Sequence, residues 1–402
     1  MAEPGEGGPL NKLRGTLSGF FQQADLVLLG LCCAATLYGM LLIASATRYL
    51  GTSGMIRYVG VQGVAMLLGI CGYIFMSLVD VEILIRKWKW IAVFNVVFIG
   101  LLLTPLGVGG DTTGNQAWLR IPGIPFQIGP AEVVKITFTL LLAKQMEWLK
   151  EERRDLKSFR SALLAAGHTF ALMGWYVVVS NDMGNALTFF AIFLCVAFAA
   201  GFALRWFAVL LAGGGAVFAA AWFLDLIPSY MMDRFRVLLD HSYDPLHVGW
   251  QQNRSLLAIG SGGIFGQGYM NGTQTQSSYS GNLPARRTDL IFSVCGEELG
   301  LIGCLVVIAL LAAIILRVLL VAKHSQTTFQ CCVCVGVAAM LIYQTVINIG
   351  MCLFIMPTIG VTLPFFSYGG SSVLTLYLAM GLVSNIKLRS PTMLRRGVLL
   401  RR

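Results

Sequence analysis

The sequence predicts an all-α polytopic membrane protein with about ten transmembrane helices, and its composition, its apolar runs and its basic residues support this class. The 402 residues are 56% hydrophobic and 12% charged, whereas about a quarter of the residues of a soluble domain are charged. The apolar residues fall in runs long enough to cross a bilayer as helices. Only helices and closed barrels satisfy their own backbone groups in hydrocarbon.

Ten apolar runs are predicted to be spans. The sixth and seventh are separated by little more than Arg205, which predicts a tight hairpin. The spans are 25–47, 58–79, 90–106, 131–149, 161–180, 186–204, 206–227, 289–322, 329–356 and 364–386.

The basic residues predict the orientation of these spans, because Lys and Arg in short loops favour the cytoplasmic side. With both termini inside, 20 of the 29 Lys and Arg residues are cytoplasmic and eight are extracytoplasmic. The first run continues as a full span and therefore predicts an anchor. The expected organisation is a cytoplasmic tail (1–24), a membrane domain (25–390) and a basic cytoplasmic tail (391–402). The basic residues build no single face, so nucleic acid is not an expected partner.

The ten cysteines all fall within predicted spans. They lack the paired spacing of a zinc site. We expect them to be free, small apolar residues of helix packing.

Two extracytoplasmic loops, about 106–130 and 227–288, are longer than connections usually are without a function. In the second, residues 230–240 (YMMDRFRVLLD) predict a short amphipathic helix at the membrane interface. The glycine-rich segment that follows either folds the loop back onto the helices or approaches a ligand closely.

Ionisable residues at membrane depth are usually functional or paired. Glu132 and Lys135, three residues apart at the start of the fourth span, either pair with each other or line a cavity. Asp182 lies in the turn between the fifth and sixth spans, where it is either a helix cap or part of a site.

Asp289 opens the eighth span at its outer end, as a site residue or as an N-cap. Glu297 and Glu298 lie about two turns deeper and point elsewhere around the helix. They therefore form no tight catalytic pair with Asp289, and we expect structural or cavity-lining roles for them.

The ninth span carries Gln344 and Asn348 on one face, where amides often bond to neighbouring helices. The segment after it is broken by proline and glycine. It returns Ser367 either to the cavity of Asp289 or to a helix crossing.

These motifs resemble the SEDS family (shape, elongation, division and sporulation), whose members include RodA, FtsW and SpoVE. The resemblance covers residues 25 to 390 and looks more like the RodA elongation branch than the division or sporulation branches. It is carried by RTDLIFSVCGEELGLIG at 287–303 and LPFFSYGGSS at 363–372, with support from AIGSGGIFGQG at 258–268, GPAEVVK at 129–135 and NDMG at 181–184.

The resemblance implies a peptidoglycan glycosyltransferase of the bacterial cytoplasmic membrane that polymerises lipid II at the outer face, with inversion. It implies Asp289 as the catalytic base, which the weak nucleophile of a sugar hydroxyl requires. The predicted substrate-binding residues are Glu132, Lys135, Trp118, Arg120, Gln252, Arg254, Ser367 and Asn348.

The implied partners are lipid II, a class B penicillin-binding protein and other elongation or division machinery. No cofactor is certain, although a divalent metal ion is a possible one. The alternatives are a flippase of the lipid-linked precursor and a non-catalytic scaffold.

The chain departs from the family pattern at three positions. Ala117 stands where the family usually has arginine, Gln127 is displaced from its motif, and Phe354 replaces a frequent glycine. The first departure leaves open which cation neutralises the departing diphosphate.

Overall fold

The computed structural model describes residues 24–109, 115–123, 126–153, 155–241, 243–244, 247–279 and 282–389. The predicted tails lie outside this part of the chain, apart from residue 24. The helices are α1 (Leu26–Thr47), α2 (Gly51–Leu78), α3 (Val81–Arg86), α4 (Trp88–Gly100), α5 (Pro130–Glu147), α6 (Phe159–Ser180), α7 (Met183–Ala200), α8 (Leu204–Phe223), α9 (Ser229–Leu239), α10 (Trp250–Gly262), α11 (Ile291–Lys323), α12 (Thr328–Cys352) and α13 (Gly370–Leu388). The strands β1 (Gly107–Val108) and β2 (Trp118–Leu119) form an antiparallel hairpin in the first long loop.

Seven segments of the described chain are long and apolar enough to cross a membrane. The first, Leu26–Leu78, contains both α1 and α2. Tyr73, near the end of α2, donates a hydrogen bond of 2.9 Å to the carbonyl of Asp25 before α1, so the two helices run antiparallel. The helix α5 is not among the seven segments, and α4 with its 3₁₀ extension, Trp88–Leu103, is a shorter apolar helix.

Each predicted span coincides with a described helix, but several boundaries were wrong. The helix of the tenth predicted span, α13, begins at Gly370 rather than 364. Phe365 has a φ of 67°, and residues 364–369 form a loop, which we call the re-entrant loop. The break near Arg205 lies earlier, at residues 201–203, where Gly201 adopts a φ of 99°. The helix of the ninth predicted span, α12, ends at Cys352 rather than 356, and Phe354 after it has a φ of 59°. The predicted amphipathic segment is confirmed as α9.

The core of the bundle is formed by α5, α7, α11, α12 and α13, whose buried residues make one continuous cluster. In contrast, none of the residues of α8 is buried. This helix lies at the edge of the bundle, and its aromatic residues Phe218 and Trp222 pack on Phe235 of α9. All ten cysteines are free.

The longest helix, α11, is interrupted at Gly300, whose φ of 66° and ψ of −161° are non-helical. A Cβ at this position would meet the backbone of Ile264 and Gly266 in the loop after α10. The amides of Gln267 and Gly268 donate to the carbonyls of Glu297 and Glu298 in the turn before the kink. The glycine-rich segment therefore folds back onto α11, and glycine is required there for close approach.

At the end of the bundle where α1 begins and α13 ends, a buried carboxylate joins three helices. Asp25 is fully buried and lies 2.8 Å from the Nε of Arg317 on α11 and 3.1 Å from the Nζ of Lys387 on α13. Its backbone amide donates to the hydroxyl of Ser384. A buried charge with two cationic partners fixes the relative positions of these helices.

Asp25→Asn should destabilise the protein strongly, because it leaves Arg317 and Lys387 without their anion. Breaking a buried ion pair typically costs about 3–5 kcal/mol, which thermal unfolding in detergent would detect as a large fall of the midpoint. Asp80→Asn is the matched control, because Asp80 pairs with Arg389 at the surface and asparagine preserves its N-cap. Equal shifts for the two variants would refute a structural role for the buried charge.

Candidate functional site

Asp289 lies in a turn immediately before α11, and its side chain is partly buried. The N-cap residue of the helix is Leu290, and no side chain caps it. The alternative prediction, that Asp289 is an N-cap, is therefore wrong. Among the described basic residues none forms a salt bridge with this carboxylate.

The backbone of the Thr288–Asp289 turn is held by side chains from two other segments. The amide Nδ2 of Asn348 donates to the carbonyls of Asp289, at 2.9 Å, and Val361, at 2.8 Å. The hydroxyl of Ser367 donates to the carbonyl of Thr288 at 2.6 Å and accepts from the amide of Leu363 at 2.8 Å. Asn348 and Ser367 therefore position the turn through hydrogen bonds within the protein.

The segment 359–361 lies between Asp289 and the start of α7. A Cβ at Gly360 would lie 4.0 Å from the Oδ2 of Asp289. A Cβ at Gly184 would collide with the carbonyl oxygen of Ile359 and lie 3.1 Å from Val361. The glycine of the NDMG motif thus brings Asp182, two residues earlier, towards Asp289.

Asp182 caps α7 and ends a buried polar chain that begins at α5. Its Oδ1 accepts from the amide of Asn185 at 3.1 Å, and its Oδ2 accepts from Asn185 Nδ2 at 2.8 Å and from Tyr176 at 3.1 Å. Asn185 in turn accepts from Lys135, at 3.3 Å. The helix cap predicted for Asp182 is therefore confirmed, and the residue also belongs to a polar network, whereas its part in a functional site stays a prediction.

The predicted pair of Glu132 and Lys135 forms, with 2.7 Å between Oε1 and Nζ. The hydroxyl of Ser372 on α13 also donates to Glu132, at 3.3 Å. The lysine side chain is fully buried. Its charge is already matched by Glu132, so in this arrangement it orders the chain of side chains leading to Asp182.

Electrostatics separate Asp289 from an ordinary carboxylate. Burial, and then the negative charge of Asp182, raise the pKa of Asp289 to about 6, against the opposing effect of Thr288. A carboxyl group that titrates near neutral pH is suited to accept a proton in general base catalysis.

Glu297 and Glu298 are fully buried and bind the loop before the site. Glu297 accepts from the amides of Gln274 and Thr275 at 2.6 and 2.8 Å. Glu298 accepts from Ser45, from Gln276 at 2.8 Å and from the amide of Met270 at 3.1 Å. The carboxylates of both residues accept hydrogen bonds from residues 270–276 and hold this segment in place, as expected for structural roles.

The remaining predicted binding residues lie in two separate places, on α10 and at β2. Gln252 on α10 is buried and donates to the carbonyl of Met356 at 2.7 Å. The guanidinium of Arg254 stacks on Trp250, 3.9 Å from the ring centroid. Trp118 packs over Gly129 before α5. Arg120 lies exposed beyond β2. The structure shows no substrate contact for these residues, and their binding roles stay predictions.

Sequence reasoning did not single out Gln62, Gly184, Arg287 and Tyr368, which also build the site. Gln62 joins α2 to the loop at 367–369 through two side-chain hydrogen bonds. In the sequence its only sign is a polar residue inside an apolar run. The motif containing Gly184 was recognised, but the need for glycine depends on a contact with a segment 175 residues away. Among the described residues no group of three or more His, Cys, Asp or Glu side chains is arranged to hold a metal ion.

Comparisons with known proteins support the motifs. The model of the cell cycle protein family FtsW/RodA/SpoVE matches residues 25–391. A probable peptidoglycan glycosyltransferase FtsW of Trichlorobacter lovleyi is 33% identical over 90% of this chain and 92% of its own. The peptidoglycan glycosyltransferase MrdB of Escherichia coli is 34% identical over 74% of this chain and 77% of its own.

Solved structures share the fold. A chain of a peptidoglycan synthase complex, described as coordinating polymerization and crosslinking, is 27% identical and covers 91% of this chain and 98% of its own, with a TM-score of 0.73. The rod shape determining protein RodA of Thermus thermophilus is 25% identical, with a TM-score of 0.65 over 91% of this chain and 97% of its own.

Gly184→Ala should lower the thermal midpoint, because the added methyl group collides with the backbone of Ile359. Overpacking of this kind costs about 1–3 kcal/mol. Gly174→Ala on α6 is the control, since nothing lies within 4 Å of its Cβ position and alanine is the better helix former. A midpoint for Gly184→Ala equal to that of the control would contradict the tight contact.

Proposed function

The chain belongs to the FtsW/RodA/SpoVE family and is a multi-pass peptidoglycan glycosyltransferase of the cytoplasmic membrane, and we propose that it polymerises lipid II with Asp289 as the catalytic base. One observation carries the proposal: a carboxylate without a salt bridge to a described residue, with a pKa raised to about 6, lies in a turn to which two neighbouring segments donate hydrogen bonds.

The proposed reaction needs a base because a sugar hydroxyl is a weak nucleophile. The 4-hydroxyl of an acceptor GlcNAc attacks the anomeric carbon of the donor sugar and gives its proton to Asp289. The bond from that carbon to the lipid diphosphate breaks, and its electron pair leaves with the diphosphate. A single displacement inverts the anomeric configuration from α to β.

The proposed topology has ten spans with both termini cytoplasmic, which places Asp289 and both long loops on the outer side. It is supported by the coincidence of each predicted span with a helix in the described residues. It is also supported by the basic residues of the short loops, which favour the cytoplasmic side.

We propose a role in cell elongation, on the motifs that look like RodA. FtsW relatives and the MrdB relative match this chain at similar identity. Division or sporulation therefore stays an alternative to elongation, and complementation of each process would distinguish them.

The proposed partner is a class B penicillin-binding protein. The support is a structural neighbour from a complex that coordinates polymerization and crosslinking. Membership of wider elongation or division machinery, and dependence on a divalent metal ion, are proposals of the same kind. The polymerisation assay below, run with and without chelator, tests the metal.

Asp289→Asn should abolish polymerisation of purified lipid II while the protein remains folded. The pKa of this carboxyl group is higher in the folded protein than the value of about 3.9 of a free aspartate, so its contribution to stability is lost as the pH rises through about 6. Removing the charge should therefore not lower the thermal midpoint at pH 7.

Asp233→Asn, a surface acid paired with Arg236, is the control and should retain activity. Full polymerase activity of Asp289→Asn would refute its role as the base. Translocation of lipid II in liposomes without polymerisation by the wild type would instead support the flippase alternative.

The polymerisation rate should rise with pH through a midpoint near 6, because Asp289 acts as a base only when ionised. Asp182→Asn should shift this midpoint downwards, since it removes the negative charge that raises the pKa of Asp289, while asparagine still caps α7. Asp244→Asn, a partly exposed acid beside His247, should leave the profile unchanged. An Asp182→Asn profile that coincides with that of the wild type would contradict the coupling.

A further inference from the structure

Two arginines without an acidic partner in the described chain, Arg57 and Arg287, lie near a pair of tyrosines that contacts the turn carrying Asp289. The guanidinium of Arg287 lies 4.8 Å from the ring centroid of Tyr58. Arg57 precedes Tyr58 on α2. Tyr58 packs edge-on against Tyr368, with 5.0 Å between ring centroids. The positive charges of Arg287 and Arg57 both oppose the rise in the pKa of Tyr368 that its burial causes. The arginines therefore surround one pair of tyrosines.

The part of α2 that carries Arg57 and Tyr58 is fixed to the re-entrant loop. Gln62, one turn after Tyr58, donates to the carbonyl of Ser367 and accepts from the amide of Gly369, each at 3.1 Å. A glutamine that bonds to the backbone in both directions sets the register of α2 against this loop.

The loop is in turn fixed to the Asp289 turn. The amide of Tyr368 donates to the carbonyl of Arg287 at 2.8 Å. The hydroxyl of Ser367 donates to the carbonyl of Thr288 at 2.6 Å. Arg57, Arg287 and Asp289 consequently belong to one hydrogen-bonded unit, although they come from distant parts of the sequence.

Four of the other arginines predicted on the outer side use their guanidinium groups within the protein. Arg48 and Arg234 donate to the carbonyls of Met270 and Thr358 at 3.0 and 2.8 Å. Arg236 pairs with Asp233. Arg286 is buried and donates to the carbonyls of Thr275 and Ser277. Among the described residues the guanidinium of Arg287 has neither an acidic partner nor a carbonyl acceptor, and Arg287 is two residues from the proposed base.

We infer that Arg57 and Arg287 bind the diphosphate of the polyprenyl-linked sugar next to Asp289. This inference rests on the proposed function. It supplies the cations that Ala117 does not provide. Two guanidinium groups match the charge and the oxygen geometry of a diphosphate. They would stabilise the charge that develops on the bridging oxygen as the anomeric bond breaks.

The position of the pair suits a lipid-linked anion. Arg57 lies in the second turn of α2, close to the end that joins α1. Both arginines belong to segments that the proposed topology places at the outer interface, where a lipid diphosphate would lie with its tail among the helices. The ring of Tyr58 orients the guanidinium of Arg287 without neutralising it.

A binding experiment tests the pair separately from turnover. The protein is Asp289→Asn in phosphatidylcholine nanodiscs, and the probe is farnesyl diphosphate, titrated in parallel with farnesyl monophosphate and inorganic pyrophosphate. We expect Arg57→Gln and Arg287→Gln each to weaken farnesyl diphosphate binding about tenfold, as loss of one charge-assisted hydrogen bond of about 1.4 kcal/mol predicts. Arg287→Lys should recover part of the affinity, and Arg236→Gln should change nothing.

Three outcomes would overturn the inference: unchanged farnesyl diphosphate affinity in the Arg57→Gln/Arg287→Gln double variant, equal affinity for the monophosphate, or loss of binding when phosphatidylglycerol replaces phosphatidylcholine. The last would identify the site as one for ordinary anionic headgroups.

The two hypotheses fail in different ways. Arginine-dependent binding by a wild-type protein that does not polymerise would refute the proposed function alone. Normal polymerisation with an unchanged KM in the double variant would refute the arginine pair alone.

Discussion

The turn at Thr288 and Asp289 leaves two partly buried backbone carbonyls outside any helix, and such groups need hydrogen-bond donors. Asn348 and Ser367 supply those donors from α12 and the re-entrant loop. These two bonds fix α12 and the loop against the turn. Gln62 joins α2 to the same loop, and the contact of Gly184 with Ile359 brings the start of α7 close to the same carboxylate.

The helices were predictable from sequence because a bilayer imposes a length and an apolar composition on each span. Boundaries were predicted less well where apolar residues are not helical. Residues 364–369 contain two phenylalanines and lead directly into an apolar helix, yet a positive φ at Phe365 makes them a loop. Phe354 also has a positive φ, and it replaces a glycine that is frequent in the family, so that departure coincides with a conformation unusual for a bulky residue.

The site was predictable in its charged members and much less in its supporting ones. Asp182, Glu132 and Lys135 are conspicuous because charge at membrane depth is expensive. Nothing local in the sequence indicates that Lys135 is matched by Glu132 and reaches Asp182 through Asn185. The donors that hold the turn are amides and hydroxyls, which are common in helix packing, and their partners are backbone atoms that carry no sequence information.

The kink at Gly300 divides α11 into a first part that is enclosed by protein and a second part with many exposed apolar residues. Residues 301–323 are about 34 Å long at 1.5 Å per residue, which alone spans a hydrocarbon core of about 30 Å. The preceding turns need not enter the lipid at all. Glu297 and Glu298 precede this length and are enclosed by protein, with their carboxylates bonded to residues 270–276. Two adjacent carboxylates in one long apolar helix then carry little penalty for insertion into the bilayer, because their partners are already within the protein.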